Sequence, residues 1–539
     1  MQDDRFLFRI QRQKTGIFLF MLLGWLSPGQ HYAVAQEPQQ IEYDADDIMY
    51  DKNIASGAYR LISNVIFRHR NTVMYCDSAY YYASENSLEA FKNVHINQGD
   101  SVQIYGDYLY YDGNTRLARI RKDVRMASNN TRLTSQAVDY DLHNNFGYYP
   151  SHADIISGEN KIKSRIGYYY SRQNMYQFRD SVVVENPDYT IYSDTLKFNT
   201  VLNTAYFIGP TRIISDSNTI YCERGWYNTG TNITLLKKNA RIENRTQILT
   251  GDSLYYERES GKGEAYSNIQ LVDKEQKIIL RGNFAKMNEK EETALLTDSA
   301  MLIYITEDDS LFVHADTLRS ETDTLGKKEL RMYYHVKMFK TDLQGKCDSL
   351  FYSSSDSVLR FFHDPVLWSG DYQLSAEYIE LHLKNRQADE LYLQRTAFII
   401  NQEDSIRFNQ VKGKNMICHF RDNELYKINV YGNGQTIYYA KDKDQYIGVN
   451  KAESSDLIIF LSDKKLEEIR FLKKPSAILY PLEMAPQEEL RLKDFKWLVY
   501  TRPLEKKDIF QWNEEPANAE QGAANSDRSN RRKERRNEN

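Results

Sequence analysis

The chain has 539 residues and a formal charge of −5, from 70 Lys plus Arg against 75 Asp plus Glu. So close a balance argues against a nucleic-acid binder, whose domain would be clearly basic. With 41% apolar residues, Tyr included, a thin elongated core fits better than one large spherical core, and 11 Pro and 25 Gly exclude a collagen-like or Pro/Gly-rich chain.

The first 35 residues read as an export signal. Arg5, Arg9, Arg12 and Lys14 form a positive segment, although Asp3 and Asp4 are unusual there. Ile17 to Leu26 is a short apolar run, too short to span a bilayer comfortably, and Ala33-Val34-Ala35 supplies a small-residue cleavage site. Cleavage after Ala35 is expected. No other long apolar run occurs downstream, so the expected product is exported and soluble, with the signal itself as the one candidate anchor.

From about residue 41 the chain repeats itself. The segments beginning Ile104, Leu133, Ile162, Ile191, Ile220 and Leu249 share the pattern of IYGDYLYYD and are spaced 29 residues apart. Met74 begins a copy 30 residues before the first, and looser copies begin at Leu280, Val313 and Leu374, with another around Cys347. A second column, Val94, Val124, Ala153, Val182, Thr211, Ala240 and Ile269, runs in step and continues through Val336, Val366 and Ala397. A polar residue or Pro usually precedes it, as at Asn93, Asp123, Pro210, Asn239, Asn268 and Pro365. Turn chemistry such as Asp112-Gly113-Asn114 and Gly261-Lys262-Gly263 separates the two, so each repeat should hold two short strands. No helical stripe is found before Pro475. The regular repeats cover 41–275, more divergent β repeats 276–475, and a C-terminal extension 476–516. At one stacked strand per repeat, eleven repeats would measure on the order of 50 Å.

The columns assign faces. The first position is aliphatic, the third is small (Cys76, Gly106, Ser135, Ser164, Ser193, Cys222, Gly251), and the sixth and eighth are apolar or aromatic. Strands alternate faces with period two, so parity must change near the fourth position, where a bulge or bend is expected. That position is usually acidic or polar: Asp77, Asp107, Asp194, Glu223, Asp252. Its recurrence points to a structural corner, since a catalytic carboxylate pair occurs once. The expected body is a bent, two-walled sheet with a narrow apolar interior. Cys76, Cys222 and Cys347 share the small slot in different repeats and should be unpaired thiols.

Chemistry-bearing motifs are lacking. There is no nucleophile elbow, phosphate-binding loop, zinc-protease motif or C-x-x-C. The ten His are scattered, and Gly432-Asn433-Gly434 reads as a turn. No metal, cofactor or enzyme activity is expected. The tail from Ala517 is polar, and 526–539 carries six Arg or Lys against three acids, which reads as a solubilising end.

The reiterated I-Y-G/S-D-x-L-x-Y, turn, A-x-x-x-x-(N/D)-V-x-(I/M), best in 104–126, 191–214 and 249–271, resembles the OstA/LptA family of lipopolysaccharide-transport proteins. It covers about 41–400. The chain has far more repeats than the small soluble member and lacks the translocon's long membrane barrel, so it resembles a long OstA-like form. The resemblance implies an all-β, elongated, bent jellyroll whose trough holds lipid A acyl chains. It also implies a periplasmic location, associated in some members with the outer membrane. The implied partners are lipopolysaccharide, other transport components including the outer-membrane translocon, and further copies end to end; nucleic acid is not among them.

Physical reasoning on the columns gives the same candidates. Ile104, Leu109, Val124, Met126, Val138, Ile191, Leu196, Ile213, Leu249 and Leu254 should line one apolar groove, kept open by the small third-position residues. Two alternatives stand beside it. A structural or surface solenoid would close its walls into a dry core. A secreted polysaccharide-acting β-helix would need a single Asp/Arg/Lys cluster on adjacent coils, and none is visible.

Overall fold

The computed structural model describes residues 39–512, apart from 53–56, 100–101, 129–130, 307–308, 385–386, 422–423, 443–444 and 463–464. The export signal and the charged tail lie outside the described residues. The described part is nearly all β: 36 strands join one sheet through antiparallel pairings, and no α-helix occurs among the described residues. The chain order is a plain meander. Thr72–Tyr82 pairs with Ser87–Gln98, that with Val102–Asp112, and so on through Leu117–Ser128 and Thr131–Asp141.

The strands are longer than expected. Each repeat contributes two strands of about a dozen residues, both bent in the middle, rather than two short ones. Only some break at the bend, as Phe146–Tyr149 and Ala153–Ser157 do. Each repeat therefore adds two strand spacings, about 9.6 Å, to the stack. A length reckoned at one strand per repeat is too short by half.

The bend is built on the return strand. Lys92–Asn93, Lys122–Asp123, Lys238–Asn239 and Ser267–Asn268 all have φ between 46° and 65°. Two left-handed residues there oppose one residue on the neighbouring strand, and the register breaks at that point, between Phe91 and Val94 for example. Left-handed backbone favours Asn, Asp and Gly, which is why a polar residue precedes the second column. The recurring fourth-position acid receives the corner: the Asn93 amide donates to Asp77 at 2.9 Å, Asn239 to Glu223 at 2.7 Å and Asn268 to Asp252 at 2.8 Å. Where the acid sits on the return strand instead, the pair is reversed, and Arg165 donates to Asp180 at 2.7 Å.

The corner divides every strand into a first-wall half and a second-wall half. The first wall's inner column interleaves both strands of each repeat: Met74, Ile96, Ile104, Met126, Leu133. The second wall faces it with Leu109, Ile120 and Val138. Between the walls lie two cores, one spanning residues 41–269 and the other 296–461. Near its start the first is shut by large rings: Tyr111 and Tyr140 have no exposed surface, and the Tyr111 hydroxyl lies 2.6 Å from His69 Nδ1.

The extension after Ser476–Tyr480 is a strap. It runs back over the outer face of the first wall and forms a third core with Phe398, Ile400, Phe408, Ile437 and Tyr439, to which it brings Leu492, Phe495 and Trp497. Buried glutamines fix it. Gln410 donates to the Leu490 carbonyl at 2.9 Å and accepts from the Leu492 N–H at 2.8 Å. Gln373 does the same with Lys496 and Leu498, both at 2.8 Å. Gln344 accepts from Arg502 at 2.8 Å. These amides stand two strands apart and meet the strap about every six residues. The strap ends with Phe510 on His314 and with Trp512 beneath the ammonium groups of Lys337 and Lys346.

Candidate functional site

The ten groove residues expected from the columns all point between the walls. Ile104, Val124, Met126, Ile191, Ile213 and Leu249 lie on the first wall, and Leu109, Val138, Leu196 and Leu254 on the second. Eight are buried; Ile213 and Leu249 are half-buried. They are not equivalent, because the interior changes along the stack.

The small third-position residues do not hold the walls apart. A Cβ on Gly106 would sit 2.5 Å from Cγ2 of Ile120, and one on Gly282 2.7 Å from Leu296. At Gly251 the neighbour is Leu254, at 3.2 Å. The small slot at the corner is already filled by an aliphatic side chain of the second wall. Smallness there lets the corner close, and the expectation that it opens a groove is corrected.

Room arises elsewhere. Six consecutive inner positions of the first wall, Ile213, Ile220, Ile242, Leu249, Leu271 and Leu280, are half-buried, while Ile191 before them and Leu302 after them are buried. The second wall opposite reads Phe207, Gly225, Leu236, Leu254, Ala265 and Ala285, so three of its six positions are small. Gly263 and Ala294 lie one step nearer the mouth. Apolar side chains on one wall thus face missing volume on the other, and the gap falls where the first core gives way to the second. Ile220, Leu249 and Leu280 were visible as first positions. Ile242 and Leu271 sit on the return strands, where the V-x-(I/M) ending was their signal.

The rim of this section is polar and ordered. Tyr227 donates to Asn232 at 2.7 Å, Gln247 to Asp273 at 2.9 Å, and Tyr256 to Glu289 at 2.6 Å. The Glu289 carboxylate, followed by burial, pushes the Tyr256 phenol up to about 12, so it stays a neutral donor. Inside, the thiols are inert. Cys76, Cys222, Cys347 and Cys418 are free and buried, and burial pushes Cys222 up to about 11. Among the described residues no three His, Cys, Asp or Glu are grouped to hold a metal. An apolar gutter with a polar, hydrogen-bonded rim can take up hydrocarbon.

Residues 40–194 and 213–295, a little under half of the chain, match the family described as OstA-like protein. No curated protein matches. Among solved structures that match is LptH, described as the LptA homologous periplasmic component of the conserved lipopolysaccharide transport device from Pseudomonas aeruginosa. It is 14% identical, the match covers 18% of this chain and 75% of that one, and the TM-score is 0.17, a likeness too slight to carry an argument.

Proposed function

We propose that the chain is a periplasmic bridging protein that carries lipopolysaccharide toward the outer membrane, with lipid A acyl chains seated in the half-open section between Ile213 and Leu280. One observation carries this reading: in an OstA-like sheet, six adjacent aliphatic residues stand half-buried against a wall in which Gly225, Ala265 and Ala285 hold three of the six facing positions. Moving a methylene from water onto such a surface is worth ~0.8 kcal/mol, so a few inserted methylenes outweigh the cost of holding the walls apart. The closed sections on either side serve as spacers. Other transport components, including the outer-membrane translocon, and further copies are the partners. The sheet ends suit them, since Tyr50 at one end and Ile478 and Leu479 at the other are exposed. The role is transport rather than catalysis.

The test is photo-crosslinking in cells. A crosslinking residue at Leu249 or Leu271 should capture a glycolipid, and one at outward Tyr110 or Lys197 should capture little. Equal labelling inside and outside, or no adduct at any inward site, rejects the transport reading.

A further inference from the structure

The half-open section has an outer side. Next to each small inward residue of its second wall stands an outward aromatic one: Trp226 beside Gly225, Tyr266 beside Ala265 and Phe284 beside Ala285. These rings, with Leu235 and Tyr255, lie on the outer face of the same strands, and none of the five is buried. Tyr266 is 41% exposed, and its ring centroid lies 5.4 Å from that of Phe284. Volume withheld from the interior is presented to solvent, on a face that an antiparallel sheet ordinarily keeps polar.

Among these side chains lies a shallow depression of about 390 Å³, lined by Leu235, Lys237, Ser253, Tyr255, Glu264 and Tyr266. Its floor follows from the register. Ser253 pairs with Lys237 on one side and Tyr266 on the other, and Leu235, Tyr255 and Glu264 form the next row toward the rim. One small residue is ringed by five long ones. The polar groups are few and balanced: Lys237 carries one positive charge against the Glu264 carboxylate, which accepts from the Tyr266 hydroxyl at 2.5 Å.

These features select a class of ligand. A ring face needs an apolar surface to lie on it, while a hydroxyl, ammonium or carboxylate needs a hydrogen-bonding partner. A sugar offers both, with C–H groups on its faces and hydroxyls around its edge. A hydrocarbon would leave Lys237, Ser253 and Glu264 without partners, and a charged ligand gains little from a site without net charge. Position selects the source. Tyr255 is two residues from Glu257, where its strand ends at the second-wall rim, about 7 Å away. A headgroup above acyl chains in the section has only to turn over this rim to lay its sugars on the rings.

We propose that this depression binds the carbohydrate of the glycolipid whose acyl chains occupy the half-open section. The inference rests on the trough reading and adds a second contact, on the opposite face of the same wall. Tyr255 and Tyr266 supply stacking surfaces, and Ser253, Lys237 and Glu264 supply hydrogen bonds to hydroxyl groups.

The experiment uses the full mature chain with a photo-crosslinking residue at Leu271. It is compared with the same protein carrying Tyr255→Leu and Tyr266→Leu, which keep apolar bulk and remove the rings, or Tyr255→Phe and Tyr266→Phe, which keep the rings. The probes are lipid A and lipid A extended by an oligosaccharide. The leucine pair should capture the extended lipid roughly three- to tenfold less, the effect of losing about one ring contact, and should capture lipid A undiminished. The phenylalanine pair should capture both as the unsubstituted protein does. Undiminished capture of the extended lipid by the leucine pair overturns the proposal and leaves the trough reading intact. Equal loss of both lipids also overturns it, since the rings would then only support the wall. If the protein with both tyrosines captures neither lipid, the trough reading fails and the proposal with it. Two controls address other occupants. A dimer in analytical ultracentrifugation that the leucine pair abolishes, with lipid capture unchanged, would make the face a contact between copies. Binding of lipid-free cell-wall glycan that the leucine pair loses, again with lipid capture unchanged, would make it a wall anchor. Either result overturns the proposal.

Discussion

At Gly106 the missing side chain is a packing requirement. Its slot is occupied by Ile120, whose Cγ2 lies 2.5 Å from where a Cβ would be. Gly106→Ala should cost about 1–3 kcal/mol by overpacking, and Ile120→Ala about 2–5 kcal/mol by leaving a cavity. Made together, the new methyl partly fills the vacated space, so the pair should cost clearly less than the sum. Urea unfolding of the three variants measures this, and strict additivity would show that the two residues do not share the slot. The same contact shows how far the sequence could be read. That position three is small and faces inward was legible in the column of Gly, Ser and Cys. That it is filled from across the corner was not, because Ile120 lies 14 positions on and belongs to a column read only as apolar. The left-handed pairs were half legible. Asn93 and Asn239 stood out as polar residues before the second column, whereas Lys92 and Lys238 gave no hint of positive φ, which lysine adopts only when the register demands it.

Among the elements, the strap was the least legible. Its residues have no strand or helix periodicity, because it crosses strands and lies flat on side chains. The glutamines that hold it alternate with apolar residues on a face that the strand pattern alone makes outward. Their meaning appears only with the strap in place. Gln373 is 1% exposed, and its amide both donates to and accepts from the strap backbone. Gln373→Met keeps the volume but leaves the Lys496 carbonyl and the Leu498 N–H, at a part-buried contact, without that partner. The expected loss is about 1–3 kcal/mol, more than a surface change would bring. Hydrogen exchange should quicken in residues 487–512 and in the strands from Val366 to Gln402, while 58–141 stays as protected as before. Faster exchange throughout would mean that the strap stabilises the whole stack rather than the half it covers. The bent strands, by contrast, were legible because every repeat restates them.

At the largest scale the molecule is one ladder of antiparallel pairs in which each strand bonds to strands close to it in sequence, the next one or, where strands break at the corner, one two or three elements along. Cooperativity in such a stack is local, and stability is close to a sum over units and their interfaces. Removing residues 191–219 would join Thr190 to Ile220 in phase, since both Ile191 and Ile220 occupy the first position. The shortened protein should fold, and its longest dimension in small-angle scattering should fall by about 10 Å, two strand spacings. Unfolding would show that units are not interchangeable. An unchanged length would show that they do not stack end on end.

The corner has a consequence for how such a protein acquires its size. Three of the 29-residue units close their bend from within, the Asn and acid that pair across it lying 16 residues apart inside the same unit. A duplicated unit therefore arrives with its corner complete and needs no compensating change elsewhere. Span becomes a quantity that can be counted out in steps of about 10 Å. A chain of this design can be matched to the width of the space it must cross by gene duplication alone, much as a ladder is fitted to a wall by the rung.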